Sequence, residues 1–274
     1  MAEVLIDLSP AALEIAVKAN LYSFFTSLQR APRTEFLVNG KLSRWFTGIG
    51  HPWFNGVLCA QQAQAGDDAA MADAIAYFQS RKVNAFTWWF AQEAALASWA
   101  PLLHGRGFIH DTGTPGLAMD LRDLADGAPL PEGLRITAVK DDQAMRIWAS
   151  TFVRGYGLPP DWEPDVFDLL YGLGLEWPLQ YYLATQDGVP VAASTLYLAA
   201  GVAGIYNVAT VAEARHRGIG AAVTAAPLQD ARALGYRAAI LQASDMGFSM
   251  YQRLGFRTVC RMDHYYWSAA TGGH

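Results

Sequence analysis

Cysteine is nearly absent: Cys59 and Cys260 are the two among 274 residues, and they lie far apart. They form no C-x-x-C pair and share no ligand spacing with the six histidines, so no metal site and no redox dithiol are expected. Reduced thiols, with no secretory leader at the N-terminus, point to the cytoplasm. Charge is thin, at 16% of residues, and its balance is acidic, with a formal net charge of −5. That excludes the basic face of a nucleic-acid binder. No Ser-His-Asp ordering stands out. One stretch, Val189 to Ala212, lacks charge altogether and is long enough to span a bilayer. A membrane helix is rejected there, because Ser194, Thr195, Asn207 and Thr210 interrupt it and Ala199-Ala200-Gly201 reads as a turn. Two adjacent buried strands explain the same composition.

What is present is a large apolar fraction, 52%, in a chain long enough for two domains. The first half reads as a helix over Pro10 to Leu28, a hairpin over Phe36 to Phe46 turning at Asn39-Gly40, and a strand over Asn55 to Gln61. A helix over Asp67 to Arg81, a strand over Val83 to Phe90, a helix over Glu93 to His104 and a strand over Gly116 to Leu121 follow. Trp45, Trp53, Trp88, Trp89 and Trp99 are expected mostly in the core, and leave room for an exposed aromatic patch. Ala125 to Gly133 is rich in Pro, Gly and Ala and reads as a linker. The second half runs strand (Leu134 to Val139), a helix capped by Asp141 or Asp142 and running through Phe152, helix (Trp162 to Leu173) and three strands (Leu179 to Thr185, Val191 to Leu198, Ile205 to Val211). Helix (Ala221 to Leu234), strand (Arg237 to Gln242), helix (Met246 to Leu254) and strand (Arg257 to Trp267) complete it. The expected class is α/β (α+β), a mixed and largely antiparallel sheet flanked by helices.

One stretch carries chemistry. Between the strand ending at Val211 and the helix from Ala221 stands Arg215-His216-Arg217-Gly218-Ile219-Gly220. Strand, glycine loop and helix start make an anion cradle: glycine lets the backbone approach closely, and the free N–H groups and dipole of the first helical turn attract phosphate. A Walker A loop is excluded by spacing, and a dinucleotide fingerprint would need a third glycine. The pattern Arg-x-x-Gly-x-Gly resembles the coenzyme A pyrophosphate loop of the GNAT superfamily of N-acetyltransferases. Arg232-Ala-Leu-Gly235-Tyr236, Leu241-Gln-Ala-Ser244 and Tyr251-Gln-Arg-Leu-Gly255-Phe256 follow in that family's order and spacing. The resemblance covers residues 134 to 267.

The resemblance implies acetyl transfer from acetyl-CoA to an amine. It places the pantetheine arm along Val208, Ala209 and Thr210, and the pyrophosphate on the N–H groups of His216, Arg217, Gly218, Ile219, Gly220 and Ala221. Arg215 and Arg217 would screen phosphate charge. Ser244 stands where the family often has an asparagine that contacts the cofactor. Tyr251 would be the general acid, since a phenol can protonate a leaving thiolate at neutral pH. Glu176 is one candidate base, and Tyr206 and Asn207 would line the substrate.

The first half resembles a worn copy. Gly107-Phe108 aligns with Gly255-Phe256, but Leu103 stands in place of Tyr251, and Gln61 to Asp68 has one glycine and two acids where the phosphate loop belongs. The expected organisation is therefore two GNAT-like domains in tandem, a degenerate one over residues 1–125 and an acetyl-CoA-binding one over 134–274. The expected function is N-acetyl transfer to a primary amine of a small molecule or peptide, by a monomer or homodimer. A CoA-binding regulatory module without catalysis is the alternative.

Overall fold

The computed structural model describes residues 3–125 and 130–268. Residues 126–129, the middle of the expected linker, lie outside them. The chain forms two compact units, and neither is a contiguous half. One gathers the residues up to Ser27 with Pro115–Cys260; the other gathers Leu28–Thr114 with the residues from Arg261 onward. The division falls inside two long strands, β5 (Ile109–Asp120) and β11 (Arg257–Ser268). This departs from the sequence boundaries 1–125 and 134–274 for two reasons. The first helix packs in the unit of the second half, and β5 begins earlier than Gly116. The polar segment His110-Asp-Thr-Gly-Thr-Pro115 hides that start, because it lacks strand periodicity.

In the first unit the strand order is β5, β10 (Ala238–Gln242), β9 (Val202–Thr210), β8 (Val189–Ala199), β7 (Leu179–Gln186) and β6 (Leu134–Ala138). All pairings are antiparallel except β9 with β10. The β7–β8 and β8–β9 turns put Asp187 and Gly188, then Ala200 and Gly201, in left-handed conformations, as two-residue hairpins require. The uncharged stretch is thus a strand pair, and no helix among the described residues is long and apolar enough to cross a membrane.

Helices cover both faces. Tyr181 of β7 meets Trp148 of α4 (Asp142–Tyr156), while its neighbour Tyr182 donates to Asp230 of α6 (Ile219–Ala233) at 2.6 Å. Successive strand residues face opposite ways, so α4 and α6 lie on opposite faces. Asp141 caps α4, accepting from the Ala144 N–H at 2.7 Å. The short helix α5 (Glu163–Tyr171) joins the α4 side, where Tyr181 donates to the Leu170 carbonyl. Helix α6 contains Pro227, which leaves the Val223 carbonyl without its helical donor. The buried Ser194 hydroxyl of β8 supplies that donor at 2.7 Å.

Helix α1 (Pro10–Ser27) also belongs to this unit. Asn20, fully buried, donates to the Ala199 carbonyl at 2.9 Å and accepts from the Tyr206 hydroxyl at 2.6 Å. Phe24 stacks on Tyr206 with ring centroids 4.3 Å apart.

The second unit orders β1 (Glu35–Asn39), β2 (Leu42–Phe46), β3 (Gly56–Cys59), β4 (Ala85–Phe90) and the end of β11. Helices α2 (Asp67–Ser80) and α3 (Glu93–Gly105) pack on it. Its core is aromatic: Trp88, Trp99, Phe78 and Phe86 are fully buried. Trp45 and Trp89 are buried too, and only Trp53 among the five tryptophans is exposed, so they form no surface patch.

Asn20→Ala removes a donor and an acceptor from a site that water does not reach. It is expected to lower the unfolding free energy by about 2 kcal/mol. Urea unfolding of the full chain checks this, and a loss below about 0.5 kcal/mol would deny Asn20 its role as the α1 anchor.

Candidate active site

Strand β9 pairs with β10 only from Ala203 to Ile205. Beyond Ile205 it continues to Thr210 against β8 alone. The two strands therefore part, and the β10-side edge of Tyr206 to Thr210 has no partner strand. A bulge accompanies the parting: Ala193 and Thr195 of β8 oppose Ala209 and Tyr206, so β9 carries one residue more than β8 over this span. Asn207 takes the left-handed conformation at φ 52° and its amide donates to Thr195 at 3.1 Å. Asparagine tolerates that backbone better than most residues. An extended chain with amide groups can lie against the bare edge as an added strand would.

The loop after β9 ends at α6. His216 (φ 60°) and Gly218 (φ 78°) are left-handed, and the first intrahelical bond runs from the Ala222 N–H to the Gly218 carbonyl. The N–H groups of Ile219, Gly220 and Ala221 thus have no helical acceptor, and no side chain caps them. His216, Arg217 and Gly218 are exposed. Gly220 has a packing reason as well: a Cβ there would meet Met250 Sδ at 3.1 Å. The result is a concave set of N–H groups at the positive end of a helix.

Arg215 does not join that set. Its Nε donates to the Thr210 carbonyl at 3.1 Å and its Nη2 to the Gly155 carbonyl at 2.9 Å. It ties the loop to the ends of β9 and α4, which corrects its assignment to phosphate. Gly155 admits this close approach, since a Cβ there would stand 3.1 Å from the Thr210 backbone. Ser244 is the N-cap of α7 (Asp245–Arg253), accepting from the Gly247 N–H at 3.3 Å. Its exposed hydroxyl keeps its own proton to donate.

Tyr251 of α7 lies buried beside Phe256, with Val208 and Met250 packed against the same cluster. Burial pushes its phenol well above the ordinary tyrosine value, with a smaller push from Tyr156 at the end of α4. The proton is therefore held throughout the neutral range. Tyr206 does not line an open wall: it is buried, bonded to Asn20 and stacked on Phe24. The phase of β9 turns its ring toward α1. Asn207 is half-buried at the bulge. Glu176 is exposed on the turn before β7.

Sequence reasoning missed Asn20, Phe24 and Tyr156. Asn20 had a signal, a lone amide among Ala16, Val17, Leu21, Phe24 and Phe25 on a helix face that is otherwise apolar. Among the described residues no cluster of His, Cys, Asp and Glu is arranged to hold a metal.

The corresponding strands of the second unit behave oppositely. Parallel pairing of β3 and β4 runs through to Cys59 and Phe90, and the Ala91 N–H then donates to the Cys59 carbonyl. There is no parted edge. At the start of α2 the Asp67 carboxylate accepts from Lys41 Nζ and from the Gln64 N–H, each at 2.6 Å.

Comparison with known proteins agrees with this geometry. Residues 142–256 match the model of the acetyltransferase (GNAT) family. A GCN5-related N-acetyltransferase from Kribbella flavida superposes with a TM-score of 0.64 at 21% identity, over 96% of this chain and 95% of that one. A tandem GNAT protein from the clavulanic acid biosynthesis pathway gives 0.60 at 15% identity, over 94% of each. A GCN5-related N-acetyltransferase from Sphaerobacter thermophilus gives 0.58 at 14% identity, over 83% of this chain and 76% of that one. The fold is thus that of tandem GNAT proteins. No curated protein matches significantly.

The two loop arginines should separate cleanly. Arg215→Ala strands two carbonyls and is expected to lower stability by about 2 kcal/mol, whereas Arg217→Ala should stay within about 0.5 kcal/mol. Equal losses in urea unfolding would remove the latch role from Arg215.

Proposed function

We propose, from the match of residues 142–256 to the acetyltransferase (GNAT) family model, that the chain is an acetyl-CoA-dependent N-acetyltransferase acting in the cytoplasm on a primary amine of a small molecule or peptide. The observation that carries this is the parting of β9 and β10 directly before a glycine loop and helix start. The residues present fit the cofactor: a bare strand edge suits an amide-bearing arm, and the N–H groups from His216 to Ala221 suit a pyrophosphate.

Bound acetyl-CoA supplies a thioester-activated acetyl group. The backbone of Val208 to Thr210 orients it and offers an N–H to the carbonyl oxygen where charge develops. With the amine nitrogen replacing sulfur on the acetyl carbon, the Tyr251 hydroxyl would be the donor of the proton that the leaving thiolate takes up. The amine proton leaves to Glu176 or to water. The exposed acids Asp161, Asp168 and Glu176 give that side of the unit a negative field that favours a cationic acceptor. Asn207, half-buried at the bulge, stands at the wall behind the reacting groups. In this reading the second unit is a copy that has lost its cofactor, its slot closed by β3–β4 pairing and its helix start carrying the carboxylates of Asp67 and Asp68, which repel a pyrophosphate.

Coenzyme A should raise the melting temperature of the full chain in a concentration-dependent way. Absence of any shift at millimolar CoA would sink the cofactor reading. Turnover on an amine panel then separates enzyme from binding module: CoA binding with no acetylation of any amine would favour the latter. Tyr251→Phe should lower kcat by about a hundredfold while CoA affinity moves less than about threefold. With wild-type Tyr251 held protonated, kcat should show no falling limb below about pH 10, the ordinary tyrosine value. A limb near pH 8 that vanishes in Tyr251→Phe would contradict the burial argument.

A further inference from the structure

The second unit contains a cavity of about 310 Å³ between the β1–β2 hairpin and α2. Leu37 pairs with Arg44 across the hairpin, so both side chains stand on one face. Opposite them, Ala70, Asp73, Ala74 and Tyr77 recur at helical spacing on one face of α2. The alanines are too short to fill the space, which is why it exists.

Arg44 is the unusual group in this cavity. The residue is half-buried, and its Nε is shut off from solvent with no hydrogen-bond partner. Its guanidinium carbon lies over the Tyr77 ring, 3.8 Å from the centroid. The neighbouring carboxylate, Glu35, is already engaged. Its Oε1 accepts from Arg81 Nε at 2.9 Å, and its Oε2 accepts from Arg81 Nη2 and from the Tyr77 hydroxyl. Arg81 lies 4.0 Å from the centre of the same ring. Arg81 thus takes the hydrogen bonds of the one nearby carboxylate, and Arg44, which feels only its charge, faces the cavity without an acceptor. A buried donor in that position is costly until an acceptor arrives, and a guanidinium fork matches a carboxylate with two parallel bonds. Asp73, exposed on the rim, makes a doubly charged guest less favourable than a singly charged one.

We propose that this cavity binds a small organic monocarboxylate, its carboxylate paired with Arg44 and its apolar body against Leu37, Leu42 and Ala74. The size is at the small end of ligand pockets and suits an aromatic or short aliphatic acid. The site lies within the second unit and is independent of the acetyl-CoA reading.

The probe is 4-fluorobenzoate, titrated into the full chain and followed by fluorine NMR, with the neutral 4-fluorobenzamide as its partner. Saturable binding of the acid is expected, with the amide at least about tenfold weaker. Arg44→Gln should weaken the acid at least about tenfold. Ala74→Leu keeps Arg44 but fills the cavity, and should abolish saturation. Both variants should retain the wild-type response to CoA, so failure here is distinguishable from failure of the cofactor reading. No saturable binding at about 20 mM, equal binding of acid and amide, or undiminished binding to Ala74→Leu would each overturn the proposal. If Arg44→Gln does not fold, the Ala74→Leu and amide comparisons decide alone.

Discussion

Strand β9 gives up its hydrogen bonds to β10 after Ile205, and the features around the proposed site either cause that separation or hold it in shape. A bare strand edge invites pairing with whatever strand arrives, so a fold that keeps one must control it. Here the bulge at Asn207 and Val208 changes the direction of β9 where the pairing stops. Arg215 then fixes the far end through the Thr210 and Gly155 carbonyls. Gly155 lets α4 come close enough to receive it. On the other face, Ser194 holds α6 through the carbonyl that Pro227 freed, which sets where the N–H groups of α6 point. In the second unit the pairing simply continues, and the same order of elements yields a closed sheet.

Much of this was readable from residue order. The glycine spacing at Gly218 and Gly220, the Tyr251 to Phe256 signature and the hairpin turns at Asp187-Gly188 and Ala200-Gly201 are local, since their backbone angles belong to single residues. What stayed hidden was long-range. Arg215 reads as a phosphate residue until Gly155, sixty positions away, is seen to take its second bond. Ser244 sits at the right place for a cofactor contact and spends its acceptor on a helix cap. Tyr206 depends on the phase of β9: it stands before the bulge, opposite Thr195, and its ring meets Asn20 and Phe24 of an α1 nearly two hundred positions earlier. Unit boundaries were misplaced for a related reason: a strand whose first half is polar and whose second half is apolar looks like a loop followed by a short strand.

The division of the chain inside β5 and β11 has a consequence for synthesis. The second unit holds most of the earlier residues, Leu28–Thr114, yet β4 pairs with His264 to Ser268, among the last described positions. During vectorial translation β4 therefore emerges long before its partner, with Phe86 and Trp88 unsheltered on that side. Helix α1, made first, waits in turn for β8 and β9. A stalled or prematurely terminated chain cannot complete either unit, and a cut at the apparent linker would remove a helix from one and a strand from the other. The polypeptide is thus committed to finishing as a whole, with its aggregation risk concentrated in the interval before β11 leaves the ribosome.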